Sequence, residues 1–175
     1  MVVQVQTQVG YFNLKWNAEG LLDQLEFSVS PLESNTTLPV PVHFSVLVQN
    51  LKNYFTQGIP IEQIPWEILN QSQWTEFQKS VYQAIARIPH GETRTYSWVA
   101  SRIGKPLAVR AVGQALRNNP IPVLIPCHRV VSANSLGGFM GTNNPEDPEM
   151  KLKKFLLKTE EEYLNPVFCF LQSSA

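Results

Sequence analysis

The feature that most constrains this chain is the punctuation between Thr75 and Pro120, where helix signals and helix breakers alternate every few residues. Thr75-Glu76-Phe77-Gln78 has the form of a capping box, in which a threonine hydroxyl and a glutamine amide satisfy free backbone N–H groups where a helix begins. Phe77, Val81, Ala84, Ile85 and Ile88 follow at helical spacing until Pro89-His90-Gly91-Glu92 breaks the run. Ser97 can cap a short helix bearing Val99, Ala100 and Ile103, which Gly104 stops. A second helix, Leu107 to Asn118, follows Pro106 at once. Two short helices around a glycine-containing turn have the form of a helix-turn-helix, with Arg110 and Arg117 on the second member. A structural αα-hairpin has the same pattern, so the helices alone leave both readings open.

Charge is distributed in step with this punctuation. The net charge of zero is the sum of −4 over residues 1–70, +6 over 71–129 and −2 over 130–175. From Thr93 to Arg129 there is no acid, while Arg94, Arg102, Lys105, Arg110, Arg117 and Arg129 are spread along the segment. Such a surface suits a polyanion, and it equally suits a solvated face whose arginines lack acidic neighbours.

Upstream the pattern changes to strands. Tyr11 to Trp16 and Leu21 to Phe27 are strand-like runs joined through the turn-forming Asn17-Ala18-Glu19-Gly20, which predicts a hairpin. Phe44, Leu47, Val48, Leu51, Tyr54 and Phe55 then form a helical stripe that stops at Gly58 and Pro60. Between them, Pro31, Pro39 and Pro41 with Ser34, Asn35, Thr36 and Thr37 make a loop. None of these residues carries a catalytic pattern. The fold class expected is therefore α/β (α+β): a small strand-rich structural α/β domain over 1–70, then a mainly helical domain over 71–175 with a winged-helix-like helix-turn-helix.

The chain has two cysteines and three histidines, with no Cys-x-x-Cys spacing, so neither a disulfide framework nor a structural zinc site is expected. No apolar stretch is long enough to span a membrane, and Met1 to Gln6 lacks a signal-peptide pattern. The expected location is the cytoplasm, or the nucleus in a eukaryote, without secretion. Cys169, within Val167-Phe168-Cys169-Phe170-Leu171, reads as a small buried hydrophobe. Cys127 differs, because it ends the apolar run Ile121 to Ile125, is followed by His128 and Arg129, and lies downstream of a purely basic stretch. Each of these neighbours favours thiolate over thiol. Adjacent side chains on an extended backbone point to opposite faces, so contact between Cys127 and His128 requires a turn there or a bridging water.

Across residues 74–162 these features form an ordered series: Thr75 to Tyr82, Ile88-Pro89-x-Gly91-x-Thr93, Tyr96, Ala100, Ile103-Gly104, Arg110-Ala111-Val112-Gly113, Asn119-Pro120, Ile125-Pro126-Cys127-His128-Arg129-Val130, Gly137-Gly138-Phe139 and Leu156-Leu157-x-x-Glu160. The series resembles the O6-alkylguanine-DNA alkyltransferases, also called methylated-DNA-protein-cysteine methyltransferases. The amino-terminal segment resembles only the general form of that family's first domain.

The resemblance implies DNA repair by direct reversal: a single irreversible transfer of a methyl or other alkyl group from guanine O6 in duplex DNA to Cys127. O4-alkylthymine is a further candidate substrate. No metal and no organic cofactor are implied. By resemblance His128 deprotonates Cys127 through a water, Glu160 orients His128, Tyr96 donates toward the guanine and Asn119 fixes the turn that builds the site. Glu160 lies on a final helix with Asp147 as cap and Pro148 in the first turn. Arg110 fills the gap left by a flipped base, while Ala111 and Gly113 let the second helix approach the minor groove. Arg117 and Arg94 contact phosphates, and Leu116, Val130, Phe139 and Met140 line the guanine pocket. A monomer with no membrane partner is expected. The family commonly has tyrosine at Phe139, a small or polar residue at Met140 and a shorter, Gly-rich link than the acidic 141–150 segment found here. Backbone donors at 139 and 140 remain able to reach guanine O6. Three alternatives compete: a non-catalytic alkyltransferase-like lesion binder, which lacks the cysteine; a cysteine hydrolase using Cys127 and His128; and a plain helix-turn-helix regulator.

Overall fold

The computed structural model describes residues 1–32 and 40–165. The expected loop residues Ser34, Asn35, Thr36, Thr37 and Pro39, and the buried role expected for Cys169, lie outside these. Three antiparallel strands, β1 (Val2–Thr7), β2 (Gly10–Trp16) and β3 (Leu22–Ser28), form a sheet in chain order. β2 and β3 are the predicted hairpin, with Tyr11 opposite Ser28 and Leu14 opposite Leu25. Strand β1 was not expected from the sequence. Val3 and Val5 on β1, with Phe12, Leu14 and Trp16 on β2, point to one buried face, the period of two that a half-covered sheet requires.

Helix α1 (Val42–Gln57) covers that face with the predicted stripe, all six members of which are buried. Gly58, at φ 69°, ends it in the left-handed conformation, and its N–H donates back to Tyr54 O. The outer edge of β3 is occupied by chain segments that follow α1, at Asn70 and at Pro120. Asn70 N donates to Leu22 O at 2.9 Å and Leu25 N donates to Pro120 O at 2.8 Å. This edge is thereby withdrawn from pairing with other chains.

The helical half contains α2 (Glu76–Ile85), α3 (Tyr96–Arg102), α4 (Val109–Arg117) and α5 (Pro148–Leu164). The Thr75–Gln78 capping box is formed at the start of α2. The cap of α3 is Thr95 rather than Ser97: Thr95 has the extended backbone a cap needs, and its hydroxyl accepts from Trp98 N, while Ser97 lies inside the first turn. Thr95 is held extended because Arg94–Thr95 (β4) pairs in parallel with Val130–Val131 (β5). That pair ties the start of α3 to the chain just after Cys127, and it is the part of the helical half that stands where a wing was expected. Helix α4 begins two residues later than the sequence suggested, leaving Leu107 in the turn and 98% exposed.

One apolar core runs through the whole molecule. Phe55 of α1 stacks on Phe155 of α5, with ring centroids 6.3 Å apart, so the last helix is packed against the first. Asp147 precedes α5 as expected and Pro148 occupies its first turn, but the Asp147 side chain does not cap it. Its carboxylate instead accepts from Thr142 Oγ1 and Asn144 Nδ2, which folds the 141–147 link onto itself.

Candidate active site

Residues Ile121 to Ile125 are all buried and carry the chain inward from α4. Asn119 controls how they turn. Its Oδ1 accepts from Ile121 N at 3.1 Å, and its Nδ2 donates both to Ile125 O at 2.9 Å and to Cys127 Sγ at 3.1 Å. The turn is tight enough to hold Val123 at φ 74°, a strained conformation for a β-branched residue. Cys127 then opens a 3-10 turn, Cys127–Arg129, so the backbone there is turn-like and not extended.

Cys127 is 4% exposed. Burial pushes its thiol up to about 11, although the Asn119 hydrogen bond and the charge of Lys153 act in the other direction. Burial thus outweighs the influences that favour thiolate, including those expected from the neighbouring sequence. The exposed arginines of α4 do not surround the sulfur, and Arg129 turns away to pair with Glu160 and to donate to Ile88 O.

His128 and Glu160 are both fully buried, with His128 Nε2 2.8 Å from Glu160 Oε1. Burial lowers the imidazole below its ordinary value, and the hydrogen bond and charge of Glu160 recover part of that loss. Burial alone would raise Glu160, but His128 and Arg129, by hydrogen bond and by charge, hold its carboxyl well below the usual carboxylate range. The carboxylate is thus ionised and accepts the Nε2 proton, which puts the imidazole lone pair on Nδ1. Nδ1 is buried and has no partner among the described residues.

Two further groups join this network. Lys153 is fully buried on α5 and its Nζ donates to Val130 O, Leu136 O and Gly138 O at 2.7, 2.6 and 3.1 Å. Burial pulls it down to about 8. It fastens the 136–138 loop to the chain after Cys127. The sequence hid it among Lys151, Lys154 and Lys158, but it lies in phase with Met150, Leu156 and Glu160, and that stripe was the available signal. Tyr54, from the half of the chain that showed no catalytic pattern, donates its hydroxyl to Glu160 Oε1 at 2.6 Å.

Above the sulfur is a cavity of about 330 Å³ lined by Tyr96, Gly113, Leu116, Arg117, Cys127 and the 138–143 loop. Phe139 and Met140 line it as expected, with Met140 at φ 49°. Phe139 N donates to Thr142 O at 2.8 Å, so of the two backbone donors foreseen there, only that of Met140 is left for a ligand. Tyr96 OH donates to Gly138 O at 3.3 Å, and Gly137, at φ 66°, is required because a Cβ would meet Tyr96 at 3.0 Å. Val130 does not line the cavity: its side chain is wholly in the core and it contributes only the carbonyl that holds Lys153. Arg110 and Ala111 are exposed on α4, whose last turn carries Arg117 beside the mouth. Arg94 is half-buried, paired with Glu92 at 2.5 Å and stacked over Trp98, so it is already engaged within the protein. Among the described residues no group of three or more His, Cys, Asp or Glu is placed to hold a metal ion.

Residues 76–162 match the family described as 6-O-methylguanine DNA methyltransferase, DNA binding domain. A methylated-DNA-protein-cysteine methyltransferase of Methanosarcina barkeri is 35% identical over 91% of this chain and 96% of its own length. The chain belongs to the methylated-DNA-protein-cysteine methyltransferase family. The constitutive family member of Bacillus subtilis is 41% identical over 64% of this chain and 62% of its own. Among solved structures, Mycobacterium tuberculosis OGT in complex with DNA matches with a TM-score of 0.70 and 30% identity, covering 93% of each chain. The Pyrococcus kodakaraensis O6-methylguanine-DNA methyltransferase, at 20% identity and a TM-score of 0.68 over 91% of this chain and 97% of its own, shares the fold. The methyltransferase architecture of a strand-rich amino-terminal part and a helical carboxy-terminal part is the one described above. Among the described residues no helix is long and apolar enough to cross a membrane.

Proposed function

We propose that this protein repairs DNA by moving a methyl or other alkyl group from guanine O6 to Cys127, once per molecule. The observation that carries the reading is the cysteine at the floor of a cavity, backed by a buried His128–Glu160 pair whose remaining imidazole nitrogen has no partner among the described residues. As the thiol proton passes through a bridging water to His128 Nδ1, a bond forms from Sγ to the alkyl carbon. The bond from that carbon to O6 breaks, its electron pair stays on the guanine, and the guanine takes up one proton. His128 passes the sulfur's proton on to water and the guanine takes one from water through the Tyr96 hydroxyl, so no net proton is released. Tyr96 and the Met140 amide support the leaving base. A thioether has no easy leaving group, and nothing in this scheme regenerates the thiol.

A thiol held near 11 beside a neutral imidazole is a weak nucleophile at rest. Reaction therefore waits for an alkyl carbon at bonding distance, which protects a cysteine that can be used only once. The target oxygen lies inside the base stack, so the nucleotide must be rotated into the cavity. We assign Arg110 to the vacated stack, Ala111 and Gly113 to close approach in the minor groove, and Arg117 to a phosphate. Arg94, already paired, is assigned no more than the edge of that contact. Residues 1–70 serve as a structural unit and 71–175 as the reacting one, in a monomer working in the cytoplasm or nucleus. A lesion binder without chemistry is disfavoured by the presence of Cys127 with Glu160 and Asn119.

The reading is tested with duplex DNA containing O6-methylguanine and a counted amount of protein. Conversion of one lesion to guanine per protein molecule, followed by a halt, is expected; continued turnover, or binding without conversion, contradicts it.

A further inference from the structure

Glu160 accepts more hydrogen bonds than orienting His128 requires. Its Oε2 accepts from Gly91 N at 2.9 Å and Arg129 Nε at 3.0 Å. Its Oε1, the atom facing His128 Nε2 at 2.8 Å, also accepts from Arg129 Nη2 at 3.0 Å and from Tyr54 OH at 2.6 Å. His128 and Arg129 already hold the carboxylate ionised. Tyr54 adds the shortest of these bonds, and it comes from α1, 106 residues away in sequence.

The plain explanation is that a core tyrosine has found an acceptor. Geometry argues for more. The hydroxyl shares its acceptor atom with His128 Nε2 and lies 3.4 Å from that nitrogen. Two donors on one oxygen compete for the same electron density, so each added donor weakens the pull of the carboxylate on the imidazole N–H. The hydroxyl also fixes where Oε1 sits, since Tyr54 is 1% exposed and packed edge-on against Phe55 and His90. Burial first, then the charge of Glu160, pushes Tyr54 well above its ordinary value, so it remains a donor at every working pH.

We propose that Tyr54 is a positioning residue for alkyl transfer, holding Glu160 Oε1 on His128 Nε2 and, by sharing that oxygen, keeping His128 Nδ1 free as a proton acceptor. This rests on the function proposed above. The groups bearing on His128 are Glu160 and Lys153 from α5, Cys127 and Arg129 from its own turn, and Tyr54 from α1. His90, in the loop after α2, reaches the same carboxylate oxygen at 3.6 Å. Of these, Tyr54 is the one whose acceptor can be altered by removing a single oxygen without changing a formal charge.

The test is Tyr54→Phe in the full chain, read by NMR titration of the His128 ring in unreacted protein and by the pH profile of alkyl transfer. With its competitor gone, Glu160 pulls harder on His128. The His128 midpoint should rise by about half a unit to one unit, less than losing a whole hydrogen bond to a charged group would give, because the bond is lost from the shared oxygen and not from His128 itself. The acid limb of the rate profile should rise equally, about a three- to ten-fold loss along that limb. A second chain carrying 3,5-difluorotyrosine at position 54, a stronger donor, should move both midpoints downward, and it keeps the test open should Tyr54→Phe not fold. A merely structural role would lower the melting temperature and the rate by the same factor at every pH, leaving the His128 midpoint in place; that result overturns the proposal. If the unaltered protein transfers no alkyl group at any pH, the proposed function fails, while the His128 titration still reports on Tyr54.

Discussion

In the free protein Cys127 carries its proton, because burial outweighs the Asn119 hydrogen bond and the charge of Lys153. The thiolate is the reactive form, so modification by a small reagent such as iodoacetamide should be slow at pH 7 and climb with pH toward about 11. Peptide mapping, which separates Cys127 from Cys169, reads this directly; a rate already level by pH 8 would show a thiolate at rest. Asn119→Ala removes the donor to Sγ and the acceptor of Ile121 N in the core, while Ile125 O keeps its bond from Cys127 N. It should cost about 1–3 kcal/mol of stability in denaturant unfolding, push the thiol higher still, and slow transfer. Cys127 and His128 stood out by their neighbours in sequence, whereas Asn119 and Glu160 were singled out only through the family resemblance of the ordered series. Lys153 and Tyr54 were marked by neither. Each sits on a helical stripe where the bland reading, a solvated lysine or a core tyrosine, already accounted for it, and only three-dimensional packing shows which atom each one meets. The apolar run before Cys127 pointed to burial, but how far burial outweighs the neighbouring charges could be read only from the packed structure.

The site is held by two elements that answer to different forces. Helix α4 presents Arg110 to solvent on the face next to the cavity, with small residues at Ala111 and Gly113. Arg110→Ala should therefore reduce repair of duplex DNA at least tenfold while changing reaction with free O6-methylguanine base by less than about twofold, because only the duplex must be opened. Equal losses on both substrates would remove the arginine from base flipping. The 136–142 loop is held by Lys153 from below and by Tyr96 at the side. In Gly137→Ala the new Cβ meets Ser132 Oγ at 2.9 Å and Tyr96 at 3.0 Å on a backbone of φ 66°. Melting should show a loss of about 1 kcal/mol or more, and transfer should fall as Tyr96 is displaced. The helices and the β2–β3 hairpin could be read from periodicity and turn residues. The two-residue strands β4 and β5 could not, since a parallel pair 36 positions apart leaves no local pattern, and missing them is what misplaced the cap of α3 from Thr95 to Ser97.

Across the whole molecule, the amino-terminal sheet and α1 are joined to the helical half through β3, Phe55 and the Tyr54–Glu160 bond. The division near residue 70 seen in composition is thus spanned by one core, and Glu160 becomes a stability element as well as a candidate catalytic one. Its folded carboxyl lies below the ordinary unfolded value of about 4.3, so its contribution is complete above that pH and is lost as pH falls through the folded value. Glu160→Gln should be less stable than the natural chain at pH 7 and should lose less on acidification, so that the two unfolding curves converge at low pH. Parallel curves would place the carboxylate outside the folding equilibrium. The central claim concerns one sulfur atom, and intact-protein mass after incubation with duplex DNA bearing O6-methylguanine tests it most directly. One added methyl, located on Cys127 by fragmentation and absent from Cys127→Ala, is the expected result; unchanged mass in protein that binds the lesion, or a methyl on another residue, contradicts it.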